Sequence, residues 1–443
     1  MGFKKKSIKL LLHSLILSLI LAGCAGNSGS NEGVTKKDTN DDSLKIHYLS
    51  SRQLSDGVLQ TMMDIADQYK EINPNFEFEV ESISDRQAYL QKVKILAASN
   101  ELPDWFDADP EPFFEEIAKK GVVANIEDMY NELDVTDKFF KISLDYPRLA
   151  DNSLYLMTFT ANTEYFWYNK DLFQQANVSV PKTIDELLAV SKKLKEAGIT
   201  PIAIHGKDTW PLLRYMAFIP FRLEGNDYLD KLRKGEISME DEAGIKAAEF
   251  IQTLGQNYFN EGWANADFNT SLELFKNGEA AMYYMGTWQV KDMIDENMNL
   301  KENIGYFKMP SYTSTDVTGE SDYFANSGIG TAILKDSMND EMKNFLKFLF
   351  EKYADTSLYT YNTIPSIQPK VKEDELPQIY QDIIKDASEV DTYAKVWDVQ
   401  LDPETNEVMG REITNLALGL LTPQEFAKRI DEALERNVPK YFD

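Results

Sequence analysis

Cysteine and histidine are nearly missing from this chain. Cys24 is the only cysteine among 443 residues, and there are three histidines, one of them His13 near the N-terminus. A single cysteine forms no internal disulfide, so stability has to come from burial. Cysteine-pair metal sites are excluded and a histidine-rich one is disfavoured, so neither a metal nor a cofactor is expected. Basic charge is also scarce, with 46 Lys and Arg against 73 Asp and Glu, a formal net charge of -27. That excludes the basic footprint nucleic-acid binding requires and disfavours electrostatic capture of anions. Motifs of catalysis are missing too. There is no GxSxG elbow, no HExxH and no Gly-rich phosphate loop, and Asn326-Ser-Gly-Ile-Gly330 fits neither a Walker nor a dinucleotide pattern. No catalytic residue is assigned.

Long hydrophobic runs are lacking as well. The apolar stretch from Leu10 to Ala22 has thirteen residues, against the ~20 a membrane-spanning helix needs. Lys4, Lys5, Lys6 and Lys9 precede it, and Leu21-Ala22-Gly23-Cys24 follows. A basic start, a short apolar region and small residues before a cut site make a secretory signal over residues 1–23. The small residues with Cys directly behind them resemble the bacterial lipobox, which implies that Cys24 becomes the lipidated N-terminus of an exported, membrane-tethered protein. Residues 1–23 hold four lysines and no acid, so their removal takes the net charge from -27 to -31. Residues 24–43 are Gly, Ser, Asn, Asp and Lys with little to bury. They read as a flexible tether whose coil spans roughly 25 Å.

What remains exceeds the size at which single cores stop growing, so two domains are expected. Leu44 to Leu49 reads as a strand, and Val58, Leu59, Met62, Met63, Ala66 and Tyr69 mark one face of a helix ended by Pro74. Phe76 to Val80 alternates as a strand does, a second helix carries Tyr89, Leu90, Val93, Leu96 and Ala97, and Trp105-Phe106 opens another short strand. This βαβα order implies α/β architecture with parallel sheets. Thr183-Ile-Asp-Glu186 and Thr422-Pro-Gln-Glu425 are capping boxes, each a helix start. The first of these helices runs to about Glu196, Gly198 is placed to close it, and Ile199 to His205 reads as a strand.

Several segments carry a family resemblance: Lys94-Ile-Leu-Ala-Ala-Ser-Asn-Glu-Leu-Pro-Asp-Trp-Phe106, Tyr168-Asn-Lys-Asp-Leu-Phe173 with Val180-Pro-Lys-Thr-Ile-Asp-Glu-Leu187, Phe275-Lys-Asn-Gly-Glu-Ala-Ala-Met282 and Gly286-Thr-Trp-Gln289. In order and spacing they resemble the extracellular solute-binding proteins of sugar ABC transporters, the cluster that includes maltose- and raffinose-binding lipoproteins. The resemblance implies a two-lobed periplasmic-binding-protein-like fold with three inter-lobe crossovers, near Thr158 to Asn162, Tyr323 to Asn326 and Tyr361 to Ser366. Lobe one would hold residues 44–160 and 325–363, and lobe two 161–324 and 364–443. It implies an oligosaccharide ligand, permease subunits of an ABC transporter as partners, and a monomer. The acidic, aromatic segment Phe113 to Tyr130 departs from the family pattern.

A neutral sugar offers hydroxyls and patches of C–H, so its site needs flat aromatic faces and a few placed polar groups. Trp288, preceded by Gly286 that would let a ligand approach, is the first stacking candidate, followed by the loop residue Trp210 and by Trp397. Trp105, Trp167 and Trp263 read as packing. Asp107 and Asp109 leave a strand at its C-terminal end, where open α/β sheets bind ligands. Ser51 and Arg52 do the same after the first strand, with Arg52 able to fork two hydroxyls. Asn162 and Glu164 at the first crossover and Asn326 at the second complete the set. Two function classes follow: a lipid-anchored binding protein that closes on a sugar, or a surface-tethered glycoside-active enzyme using two of the many carboxylates. A peptide or metal-siderophore receptor is disfavoured by the scarce histidines.

Overall fold

A computed structural model describes residues 44–370, 375–390, 392–394 and 396–441. Cys24, the signal segment and the tether lie outside the described residues.

Among the described residues, nine strands form two sheets. β1 (Lys45–Ser50), β2 (Glu77–Ser82), β3 (Trp105–Ala108) and β9 (Gly330–Ile333) make the first, in the order β2-β1-β3-β9. β5 (Thr200–Ala203), β6 (Ala280–Gly286), β4 (Asn162–Asn169) and β7 (Ile304–Phe307) make the second, in that order, and the two-residue β8 (Ala325–Asn326) pairs with β4. Each sheet is the centre of one lobe.

Lobe one follows from its sequence periodicity. Asp56 caps the helix Gly57–Ile72 by accepting from the Val58 and Leu59 amides at 2.9 and 3.3 Å. Val58, Leu59, Met62, Ile65, Ala66 and Tyr69 recur every three or four residues on its buried face, and that face packs against the helix Asp340–Tyr361. Trp105 is fully buried against Tyr48, Phe78 and Phe345. The segment Phe113 to Tyr130 contributes helices Pro112–Lys119 and Ile126–Glu132, whose Phe114, Ile117 and Tyr130 enter the lobe's core.

In lobe two, the nearly continuous apolar run of the helix Trp210–Glu224 is buried from Pro211 to Arg222. Phe166 of β4 stacks on Phe307 of β7 at 4.8 Å and also packs with Tyr215, Phe218 and Tyr284. Trp167 is fully buried and donates Nε1–H to the Met285 carbonyl at 3.0 Å. Trp263 is buried too, its ring filling the space where a Gly206 side chain would stand.

The sheets are mixed, not purely parallel as the βαβ order suggested. β1 runs parallel to β2 and β3, and β5 parallel to β6, but β9 is antiparallel to β3, and β4 is antiparallel to β6, β7 and β8. Connectivity explains the difference. Strands built by βα units run toward the ends where Ser51, Asp107, His205 and Gly286 emerge. β4 and β9 are entered from the inter-lobe connections and run the opposite way. Among the described residues, no helix is long and apolar enough to cross a membrane.

Candidate functional site

The β5 and β6 ends and the start of the Trp210–Glu224 helix meet in an aromatic assembly. Thr209, a β-branched residue at φ 61°, turns the chain into that helix, a conformation such residues rarely adopt. Trp210 follows it. Arg214 stands one turn on, at the i,i+4 spacing that brings side chains together, with its guanidinium 5.1 Å from the Trp210 ring centroid. His205, at the end of β5, meets Trp210 edge-on at 5.2 Å, and Trp288 meets it edge-on at 6.2 Å. Both tryptophans are half-buried.

Gly286 plays a different part from the one the sequence suggested. A Cβ there would lie 1.9 Å from the Trp288 ring. The missing side chain makes room for Trp288 itself, which folds back over its own strand end, and not for a ligand.

Carboxylates and amides surround Arg214. Its Nε donates to Glu164 at 3.1 Å and its Nη1 to Asp398 at 2.5 Å. Glu164 is fully buried and also accepts from the Asn326 amide at 3.3 Å. Asn162 lies opposite Asn326 in the β4–β8 register, their side chains 3.4 Å apart. Burial pushes the Glu164 carboxyl up and Arg214 pulls it down, with a net rise. His205 is fully buried, shares a hydrogen bond of 3.1 Å with Ser271, and is pushed down to about 4 by burial. It is therefore neutral at pH 7, and its 3.9 Å approach to Asp208 is no ion pair.

Lobe one presents Asp109, which accepts from Arg86 of the helix Arg86–Ser99. Burial raises the Asp109 carboxyl, Arg86 opposes the rise, and the charge of Asp398 in the other lobe adds to it. Glu111 is pushed up to about 7 by burial and then by Asp109, with Asp398 again contributing. Tyr146 is raised well above its ordinary range by burial, then by Asp109, with Arg214 and Asp398 also acting on it. The charge of Asp398 thus reaches both Asp109 and Tyr146.

Four expected ligand residues are engaged elsewhere. Asp107 accepts at one oxygen from Tyr48, Arg52 and Thr331 (2.6, 2.6 and 3.0 Å) and at the other from the Ser50 hydroxyl and the Ser51 amide and hydroxyl (2.9, 2.7 and 3.1 Å). Arg52 also donates to the Ile329 carbonyl. Ser51, Arg52 and Asp107 therefore knit the end of β1 to the connection entering β9, and the Asp107 carboxylate has no acceptor capacity left for a sugar. Trp397 is 4% exposed and stacks on Tyr228 at 5.8 Å and 15°, a core position. Trp210, Trp288, Asn162, Glu164 and Asn326 come together around Arg214, and the charge of Asp398, bonded to the same arginine, reaches Asp109. Arg214, Asp398, His205, Arg86, Glu111 and Tyr146 were missed. Arg214 alone had a signal, its spacing from Trp210. Among the described residues, no group of three or more His, Cys, Asp or Glu is placed to hold a metal ion.

A family model described as bacterial extracellular solute-binding protein matches residues 55–354. The chain belongs to that family. A multiple sugar-binding protein of Streptococcus mutans is 24% identical over 388 residues, 83% of this chain and 84% of the relative. An ABC transporter extracellular-binding protein of Pyrococcus horikoshii is 26% identical over 284 residues, and the match spans only 63% of its length. Among solved structures, a chitin oligosaccharide binding protein superposes with TM-score 0.77 at 21% identity, covering 90% of this chain and 100% of that one. A Bacillus licheniformis sugar transporter in complex with stachyose gives 0.67 at 18%, covering 89% and 100%. These likenesses establish the two-lobed fold of this solute-binding protein.

Proposed function

We propose that this solute-binding protein is the receptor of a sugar ABC importer, exported and held at the membrane by lipid on Cys24. It captures an oligosaccharide between its lobes and delivers it to permease subunits. The observation that carries the reading is the Trp210–Trp288 pair, half-buried and edge-on, with Arg214 on the Trp210 ring and bonded to Asp398. Aromatic faces bounded by a few fixed polar groups suit a ligand of alternating C–H and hydroxyl surface. Sugar-binding names among the relatives support the same reading. The mechanism is population shift: a ligand touching both lobes stabilises the state in which they are closed.

Purified residues 24–443, titrated with oligosaccharides and followed by tryptophan fluorescence, test it. Saturable change with the sugar recovered intact is the expected result. Shorter products would instead mark a surface-tethered glycoside-active enzyme. The anchor has its own check, because Cys24→Ser should leave sugar binding intact and release the protein from the membrane fraction.

A further inference from the structure

Two adjacent phenylalanines belong to different cores. Phe139 packs on Tyr130 at 4.4 Å and on Phe350 at 5.7 Å, within the core built on the first sheet. Phe140, the next residue, joins the core built on the second sheet together with Ile142. Ile142 belongs to the short helix Lys141–Asp145, which packs against the helix Gln378–Glu389 of lobe two. Tyr146, one residue further on, packs on the same core and meets Tyr393 at 6.2 Å. Leu144 reaches back to the first core, and by Leu149 the chain is again among lobe-one residues, with Leu49 and Phe106. Ser143 is buried and ties the helix to the first crossover: its Oγ donates to the Thr160 carbonyl at 3.2 Å, and its own carbonyl accepts from the Thr158 hydroxyl at 2.8 Å. The Phe140 amide donates to the Ser366 carbonyl of the third crossover at 2.9 Å. Thr136, Asp137 and Phe139 line an open groove of about 410 Å³ together with Phe140, Leu144 and Ser388 of the Gln378–Glu389 helix. That helix lies on the face of β4 away from Arg214, because successive strand residues alternate. Tyr165 donates to its Asp386 at 2.6 Å, whereas Phe166 packs on Tyr215 of the Trp210–Glu224 helix.

We propose that the Lys141–Asp145 helix and Tyr146 travel with lobe two when the lobes close. The chain then steps across the lobe boundary at Phe139–Phe140 and back before Leu149, ahead of the three crossovers, and the groove is the clearance for that step. Close-packed interiors move as units, and a hinge falls where a few residues between them absorb the rotation. Phe139 and Phe140 are such a junction, each held in a different core. This rests on the closing-receptor reading above and assigns to lobe two a segment that chain order alone places in lobe one.

Cys24 is the only cysteine, so residues 24–443 carrying Cys24→Ser accept spin labels at introduced cysteine pairs without background. The pairs combine Lys119→Cys on the lobe-one helix Pro112–Lys119, Lys192→Cys on the lobe-two helix Ile184–Glu196, and Lys141→Cys. All three lysines are exposed and make only i,i+4 ion pairs on their own helices, which contribute little, so the urea midpoints should stay at the parent value. Distances are measured by pulsed electron paramagnetic resonance without ligand and with raffinose, stachyose and maltotriose. Closure on a probe moves the Lys119–Lys192 distance. The Lys119–Lys141 distance should then move as well, and the Lys141–Lys192 distance should stay fixed. A Lys141–Lys192 distance that moves, or a Lys119–Lys141 distance that does not, overturns the step at Phe139–Phe140 while leaving closure standing. A Lys119–Lys192 distance unmoved by every probe overturns the closing reading and the step with it.

Discussion

Arg214 offers the sharpest test of how this site is held together. Its guanidinium bonds a fully buried carboxylate, Glu164, and a half-buried one, Asp398, while covering the faces of Trp210 and Phe324 at 5.1 and 5.5 Å. Arg214→Met keeps most of the aliphatic volume and deletes the charge. Glu164 is then left buried and ionised, a situation that costs about 3–5 kcal/mol when one partner of a buried pair is removed. Protonation sets an upper limit on that cost. Burial already raises Glu164 with Arg214 present, and each further unit of upward shift is worth about 1.36 kcal/mol, so the loss should shrink as pH falls toward 5. At pH 7.5 and without sugar, a loss of about 3 kcal/mol in a urea titration is expected. Adding Glu164→Gln removes the stranded charge, and the double variant should regain about half of it, a coupling that a double-mutant cycle measures. A loss below about 1 kcal/mol in the single variant, or strict additivity in the double, would refute the buried-pair reasoning.

Two further outcomes follow from the geometry. Gly286→Ala puts a Cβ where the Trp288 ring lies, so the ring must swing away; sugar affinity should fall by about as much as in Trp288→Ala, about 1–3 kcal/mol borrowed from base stacking on aromatic side chains, and a Gly286→Ala protein with normal affinity would separate Trp288 from the ligand. His205 is held near 4 when folded, against 6.5 in the unfolded chain, so the unfolded state takes up the proton first and stability present above pH 6.5 is lost as pH falls toward 4; His205→Leu should flatten that slope by up to about 3 kcal/mol in urea midpoints, and an unaltered slope would show that His205 is not the group responsible.

Local structure was legible in the sequence because its causes are local. The Thr422 capping box closes in both directions, Glu425 N–H to Thr422 at 3.2 Å and Thr422 N–H to Glu425 at 2.9 Å. The Thr183 box closes one residue early, with Glu186 taking the Lys182 amide at 2.7 Å. Gly198 ends its helix at φ 76° as its position suggested. Strand direction was not legible, since β4 and β9 are antiparallel through long-range connectivity and carry no local mark of it. The roles of the tryptophans divided in the same way. Trp210 and Trp288 follow strand or loop ends, and Trp397 opens a four-residue helix, but only three-dimensional packing distinguishes the Trp397 stack on Tyr228 from an open face.

Polar residues at strand ends show where position stops being informative. Asp107, near the end of β3, and Asp109, just beyond it, are two residues apart, both buried and both bonded to arginine. Asp107 is saturated by its own lobe, and Asp109 is not. The arginines of the Trp210–Glu224 helix divide on the same principle. Arg222, fully buried, spends its donors on the Met309, Pro310, Gly319 and Asp322 carbonyls and the Thr318 hydroxyl, fastening a loop. Arg214 spends its donors on carboxylates beside an aromatic face. Two buried arginines in one apolar helix are a signal readable from sequence, because each must be repaid in hydrogen bonds. The acceptors differ in kind: backbone carbonyls fasten a loop to the helix, whereas carboxylates leave a charge balance around Arg214 that depends on Glu164 and Asp398 staying ionised.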